Sequence, residues 1–186
     1  MKPLLELRGV ALRRGGRMLF DGLDLRLCAG EAVHLAGPNG SGKSSLIRLC
    51  AGLLRAERGS VERVPCALAD DHLALDSELP LRRALAFWAG KCERLDPASE
   101  ALGLASLADV PVRLLSSGQA KRATLARVAA SRAPLWLLDE PLNALDADGV
   151  RRLRTLIEQH LSSGGAVLAA SHGAMDGSWT RMDLGR

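Results

Sequence analysis

Gly37-Pro38-Asn39-Gly40-Ser41-Gly42-Lys43-Ser44, followed by Ser45, fits the pattern G-x-x-x-x-G-K-S/T, and each residue type in it answers one demand of a polyphosphate. Glycines let backbone N–H groups turn toward phosphate oxygens, and the N-terminus of a following helix adds positive potential. Lys43 offers a point charge to β and γ phosphates, and the Ser44 hydroxyl suits Mg²⁺. Farther along, the apolar run Leu135-Trp136-Leu137-Leu138 ends in Asp139-Glu140. Open parallel sheets gather their active-site groups at the carboxyl ends of strands. Asp139 is then placed to hold the metal, directly or through water, and Glu140 to orient and polarise an attacking water.

These residues need elements to position them. Ala32 to Ala36 reads as a short strand running into Gly37, and Leu46, Ile47, Leu49, Cys50 and Leu53 have helical spacing from Ser44 onward, which gives strand, glycine loop and helix. Ahead of them, Leu4 to Val10 and then Leu23, Leu25 and Leu27 alternate with polar residues. That alternation predicts two antiparallel strands at an edge, joined through a turn at Arg13 to Arg17. Pro80 to Leu107 reads as an amphipathic helical insert with Leu81, Leu85, Phe87 and Trp88 apolar, interrupted at Pro111. Ser116 or Ser117 then caps a helix to about Arg132, the strand Leu135 to Leu138 follows, a helix runs from Ala147 to about Leu161, and Ala166 to Ala170 is the final strand. Strands alternating with helices imply an α/β fold with a mainly parallel sheet.

The chain has 186 residues, 47% hydrophobic and 25% charged, with net charge +4. This is the balance of a globular domain large enough to bury its own core, and it excludes disordered, collagenous and disulfide-scaffold classes. The sequence reads as one domain with no membrane span and no signal-peptide core near Lys2, Glu6 and Arg8. Four cysteines, Cys28, Cys50, Cys66 and Cys92, are scattered without zinc or redox spacing, so reduced, mostly buried thiols are expected. Arginines and lysines are interleaved with acids, and aromatics make up only 3%, so no nucleic-acid partner is expected. His34 and His160 have the pattern of structural residues.

Leu115-Ser116-Ser117-Gly118-Gln119, upstream of the acidic strand end, resembles the LSGGQ signature of ATP-binding cassette (ABC) ATPases with Ser117 in place of the first glycine. Asn143-Ala144-Leu145-Asp146 resembles their D-loop, and Ala170-Ser171-His172 their switch histidine. With the phosphate loop and Asp139-Glu140, these motifs stand in the family's order over almost the whole chain. The resemblance implies a P-loop NTPase fold of the ABC type: a mainly parallel core sheet with an antiparallel β edge, over about 1–69 and 133–186, and a small helical subdomain over about 75–132. It also implies ATP with Mg²⁺ and a head-to-tail homodimer. In that dimer Ser116, Ser117, Gly118 and Gln119 face the other copy's γ-phosphate, Asp146 lies in the D-loop, and Glu140 and His172 are catalytic. A separate membrane permease is implied as the partner that the dimer drives.

Within the family, Leu81 to Trp88, Leu107 to Val112, Ala133 to Pro141 and Ala144 to Val150 resemble the ATP-binding subunits of bacterial haem exporters of cytochrome c maturation. That implies a cytoplasmic protein docked on the inner membrane through permease subunits of the exporter's B and C type. Two departures stand out. The family's adenine-stacking aromatic is replaced by Arg13-Arg14-Gly15-Gly16-Arg17, and the chain has no tyrosine, so an arginine plane or Phe20 stacks on the base, or these are solvated turn residues. The glutamine that follows the third core strand is missing too. Asp70-Asp71-His72 stands there, where Asp71 or His72 either contacts metal or water, or His72 is a plain loop histidine. Two other function classes fit parts of the pattern: a soluble ABC protein of translation or DNA repair, and a nucleotide-binding scaffold without turnover. Room for one cassette counts against the first, and the retained Glu140 and His172 against the second.

Overall fold

The computed structural model describes residues 2–89, 95–173, 175 and 177–185. At its start, β1 (Leu5–Arg14) and β2 (Arg17–Leu27) pair antiparallel. Gly15 and Gly16 at φ 56° and 76° give the two consecutive positive φ values of a type I′ hairpin, whose twist matches the strands it joins. On the other side of β1 lies β4 (Arg58–Arg63), so this sheet has the order β2-β1-β4.

The second sheet is parallel throughout. Its strands β3 (Ala32–Ala36), β5 (Cys66–Ala69), β6 (Leu135–Asp139), β7 (Ala166–Ala170) and β8 (Thr180–Asp183) lie in the order β5-β6-β7-β3-β8. Every residue of β3, β6 and β7 is buried, because helices or the first sheet cover both faces; this explains runs that are apolar without alternation. Their side chains feed two cores. Leu135 and Leu137 pack with Leu46 and Ile47 of α1 (Lys43–Cys50) and with Leu5, Leu7 and Val10 of β1. Trp136 and Leu138 pack instead with α2 (Leu81–Ala89), α4 (Ser117–Ala130) and α5 (Ala147–Ser162), through Leu85, Leu125 and Leu153.

Several expectations need correction. The final strand is β8, not β7: its polar residues Thr180, Arg181 and Asp183 carry no apolar period, and it is held by pairing from Val33↔Thr180 to Ala36↔Asp183 at the edge of β3. Strands β4 and β5 are short and carry no apolar alternation strong enough to mark them in the sequence. The helical insert is α2, α3 (Leu95–Ala101) and a 3₁₀ turn at Ala105–Leu107, with Gly103 at φ 66° ending α3. Helix α2 buries Leu81, Ala84, Leu85 and Ala89, the i, i+3, i+4 stripe of an amphipathic helix. Phe87 falls off that stripe and is 81% exposed.

Cys28, Cys50 and Cys66 are free thiols, and burial pushes the Cys50 thiol up to about 12; Cys92 lies outside the described residues. Among the described residues no helix is long and apolar enough to cross a membrane.

Candidate functional site

Register brings the carboxyl ends of three neighbouring strands to one level. Leu35 of β3 pairs with Ala170 of β7, and Asp139 of β6 pairs with the same Ala170. The phosphate loop leaves β3, Glu140 leaves β6, and Ser171 and His172 leave β7. His34 fixes the last of these from below, its Nε2 lying 3.1 Å from the Ser171 carbonyl oxygen.

The loop's glycines are required where they stand. Gly37 sits at φ 145°, and a Cβ there would come within 2.3 Å of the Leu184 carbonyl oxygen. Gly42, at φ 102°, is the N-cap of α1 and supplies no side-chain hydrogen bond. The first turn of α1 therefore presents N–H groups that no side chain caps, and no acidic residue offsets them. Lys43 is buried, and its Nζ donates to the carbonyl oxygens of Gly37 at 2.7 Å and Pro38 at 3.1 Å. Ser41 Oγ is buried with no hydrogen-bond partner among the described residues.

The Ser44 hydroxyl donates to Asp139 Oδ1 at 3.0 Å. Burial raises the Asp139 pKa against the Ser44 hydrogen bond that lowers it, Asp71 and Glu140 raise it further, and Arg48 opposes them. A buried carboxylate and an adjacent hydroxyl are hard oxygen donors that fit Mg²⁺, which keeps several waters and takes most of its remaining contacts from phosphates. No cluster of three His, Cys, Asp or Glu suited to a metal occurs among the described residues.

Glu140 occupies the left-handed region at φ 45°, a strained backbone for a residue with a Cβ, and its N–H donates to the Ala170 carbonyl oxygen at 2.8 Å. Its carboxylate meets His172 twice, at 3.3 Å from Nε2 and as acceptor of the backbone N–H at 3.4 Å. Glu140 and His172 line a cleft of about 480 Å³ together with Asn39, Gly40, Gly42, Lys43, Ser44 and Ser45.

Arg14, Gly15 and Leu19 also line that cleft. Arg14 is the arginine of the β1–β2 turn that reaches it, whereas Arg13 is engaged by Glu57 and the Gly16 carbonyl oxygen. Leu19 had no motif to mark it, although its place in β2, opposite the phosphate loop, puts its Cβ 3.2 Å from where a Gly42 side chain would be. Phe20 does not line the cleft.

The signature residues are elsewhere: none of Ser116, Ser117, Gly118 or Gln119 lines the cleft. Ser116 caps α4 in a reciprocal box, its Oγ accepting from the Gln119 N–H at 3.3 Å and its own N–H donating to Gln119 Oε1 at 2.9 Å. Ser117 is exposed, and a Cβ on Gly118 would lie 2.8 Å from the Ala144 carbonyl oxygen, so closeness to the 143–146 loop demands glycine there. Asp146 caps α5, accepting from the Gly149 N–H at 2.7 Å. His72 does not line the cleft. Its ring is 3.3 Å from Asp70 and its side chain 78% exposed. A residue that sequence reasoning missed does reach the centre: Lys121 donates to the Asp139 carbonyl oxygen at 3.2 Å.

A phosphate cradle, a buried carboxylate beside a hydroxyl and a histidine-braced glutamate on a parallel sheet define a nucleotide-hydrolysing P-loop site. The family model for ABC transporters matches residues 20–143, and the chain belongs to the ABC transporter family as an ATP-binding subunit.

Within it the chain is 58% identical over 164 residues to the cytochrome c biogenesis ATP-binding export protein CcmA of Novosphingobium aromaticivorans, covering 88% of this chain and 85% of that protein. It is 53% identical over 180 residues to the protein of the same name from Sphingopyxis alaskensis, covering 94% and 93%. Among solved structures, a putative ABC transporter ATP-binding protein from Pyrococcus furiosus shares the fold with a TM-score of 0.85 at 19% identity, over 97% of this chain and 96% of that one.

Proposed function

We propose that this ABC ATPase is the energy-supplying subunit of a haem exporter in bacterial cytochrome c biogenesis. The observation that carries the ATPase half of this reading is the convergence of Lys43, the Ser44–Asp139 pair and the Glu140–His172 pair in one cleft. Lys43 and the open N–H groups of α1 hold the β and γ phosphates. Ser44 and Asp139 would hold Mg²⁺, which would neutralise charge on those phosphates. Glu140 orients and polarises the attacking water while His172 contacts the γ-phosphate. Arg14 and Leu19 face the base, a guanidinium plane and an apolar side chain doing the work of the absent aromatic.

No residue of the signature lines the cleft. In this reading a second copy closes it head to tail, its Ser116, Ser117, Gly118 and Gln119 meeting the γ-phosphate. Residues 1–69 and 133–186 form the nucleotide-binding core, and 75–132 the helical part that carries the signature. Hydrolysis removes the bridging phosphate and releases the pair.

Membrane permease subunits of the haem exporter's B and C type receive this motion on the cytoplasmic face of the inner membrane. The closeness to the CcmA proteins supports the assignment to cytochrome c biogenesis. Phe87 and Trp88, crossed edge to face at 5.5 Å on α2, offer apolar surface for that contact.

Purified Glu140→Gln is expected to lose turnover by about 10²–10³-fold while ATP still drives pairing in light scattering; a wild-type rate overturns the role of Glu140. In cells, the same substitution is expected to abolish haem-loaded periplasmic c-type cytochromes. Normal levels of them would remove the exporter assignment.

A further inference from the structure

Lys121 lies in the second turn of α4, a helix with no acid in its first turn. It is also half-buried. Four acids compensate: Asp70 and Asp71 after β5, Asp139 at the end of β6 and Glu140 directly after it. Burial lowers the lysine's pKa and these four carboxylates push it back.

The ammonium does not pair with any one of them. It donates instead to the carbonyl oxygen of Asp139, at 3.2 Å. That carbonyl belongs to the peptide joining Asp139 to Glu140. The N–H of the same peptide donates to Ala170, so the unit is held from both sides. It leads directly into the strained φ of 45° at Glu140, where a freed peptide would turn and carry the carboxylate away from His172. A strained backbone persists only where its surroundings over-determine it.

We infer that Lys121 is a positioning residue for the hydrolytic reaction, clamping the Asp139–Glu140 peptide so that the Glu140 carboxylate faces the γ-phosphate side of the cleft. This rests on the reading of Glu140 given above. Because Lys121 belongs to the helix that the signature opens, the clamp also ties the orientation of α4 to the geometry of the protomer's own catalytic glutamate. Ser116 and Lys121 thus act on opposite sides of one rigid element, the first toward the partner copy's nucleotide and the second toward its own site.

The test uses the full chain and a double-substitution cycle. Lys121→Met is expected to lower kcat about tenfold or more with KM for ATP changed by less than twofold, and Lys121→Arg, which keeps a charged donor, to recover most of the loss. In Lys121→Met/Glu140→Gln the residual rate is expected to match that of Glu140→Gln alone, because the lysine acts through the glutamate. A wild-type kcat in Lys121→Met overturns the inference, and so does an equal loss through KM or an additive double variant. Should Lys121→Met fail to fold, Lys121→Arg and Lys121→Gln decide: the inference requires arginine to out-perform glutamine in kcat, and equal rates sink it. If Glu140→Gln itself turns over normally, the glutamate reading has failed and this inference falls with it. Full loss in Glu140→Gln beside an unaffected Lys121→Met overturns the lysine alone.

Discussion

Two helix N-termini in this molecule carry sequence signals for phosphate, and they are built in opposite ways. Helix α1 begins at Gly42 with no side-chain cap, no acid in its first turn, and a buried lysine folded back on the loop. Helix α4 begins with Ser116 and Gln119 satisfying one another's backbone N–H groups. An uncapped N-terminus presents donors that only a ligand or water can satisfy, whereas a capping box has already spent two of them internally. In the proposed function the first is therefore a standing anion site and the second a conditional one, which would exchange its own cap for a phosphate. A protomer should hold nucleotide through α1 by itself and engage α4 only when a pair closes.

The largest contrast between the ends comes from their charged partner. Lys43→Ala removes a buried ammonium bound to two carbonyl oxygens and the one side-chain cation in the phosphate loop. Charged hydrogen bonds are worth about 1.5–3 kcal/mol each, so ATP affinity of the isolated protomer should fall by about 10–100-fold, measurable by titration calorimetry. An unchanged Kd would mean that the two helix ends do not differ in the way argued.

A second effect follows from the charge that the α1 end leaves uncompensated. Asp139 is buried with a hydroxyl as its hydrogen-bond partner, and its pKa is raised chiefly by burial. Its folded-state pKa thus lies above the unfolded one. Between them the native state binds more protons, so stability is lost as pH rises through this window and stays lost above it. Asp139→Asn keeps an acceptor for Ser44 and removes that penalty. The nucleotide-free variant should melt above the wild type at neutral pH, with the difference fading on acidification, while Mg²⁺-dependent turnover disappears. A variant that melts below wild type at neutral pH would show that the carboxylate is better compensated than its surroundings indicate.

The same contrast explains what could be read from the sequence. Phosphate loop, strand-end acids and signature serine are local patterns whose chemistry depends on spacing, and β3, α1, β6, α4 and α5 fall within a few residues of expectation. The adjacency of His34 to Ser171, or of Lys121 to Asp139, joins residues far apart in the chain, and no local period encodes it. Lys121 nonetheless left a trace, being a cation near a helix N-terminus with no acid in the helix's first turn. Strand β8 left none: its polar residues form a strand only because the edge of β3 is there to pair with them. Phe87 misled for a related reason, since an aromatic residue beside Leu85 raises apolar content without lying on the buried stripe.

Ser116→Ala probes the conditional end and should have the smallest effect on the protomer alone. Deleting an N-cap serine costs about 0.5–2 kcal/mol, and 1 kcal/mol lowers Tm by about 2–4 °C in a chain of this size. Nucleotide affinity of the protomer should not move, because Ser116 does not line the cleft that α1 opens onto. Pairing is different. In the proposed dimer the serine hydroxyl leaves Gln119 and turns to the partner's γ-phosphate, so the variant should lose ATP-dependent association and turnover together while keeping its affinity for ATP. Ser116→Gly separates the two roles, since glycine restores all but a few tenths of a kcal/mol of the cap and supplies no hydroxyl. It should melt close to wild type and still fail to pair. If Ser116→Gly pairs and turns over normally, α4 contributes only its backbone, and the second phosphate site does not depend on the serine.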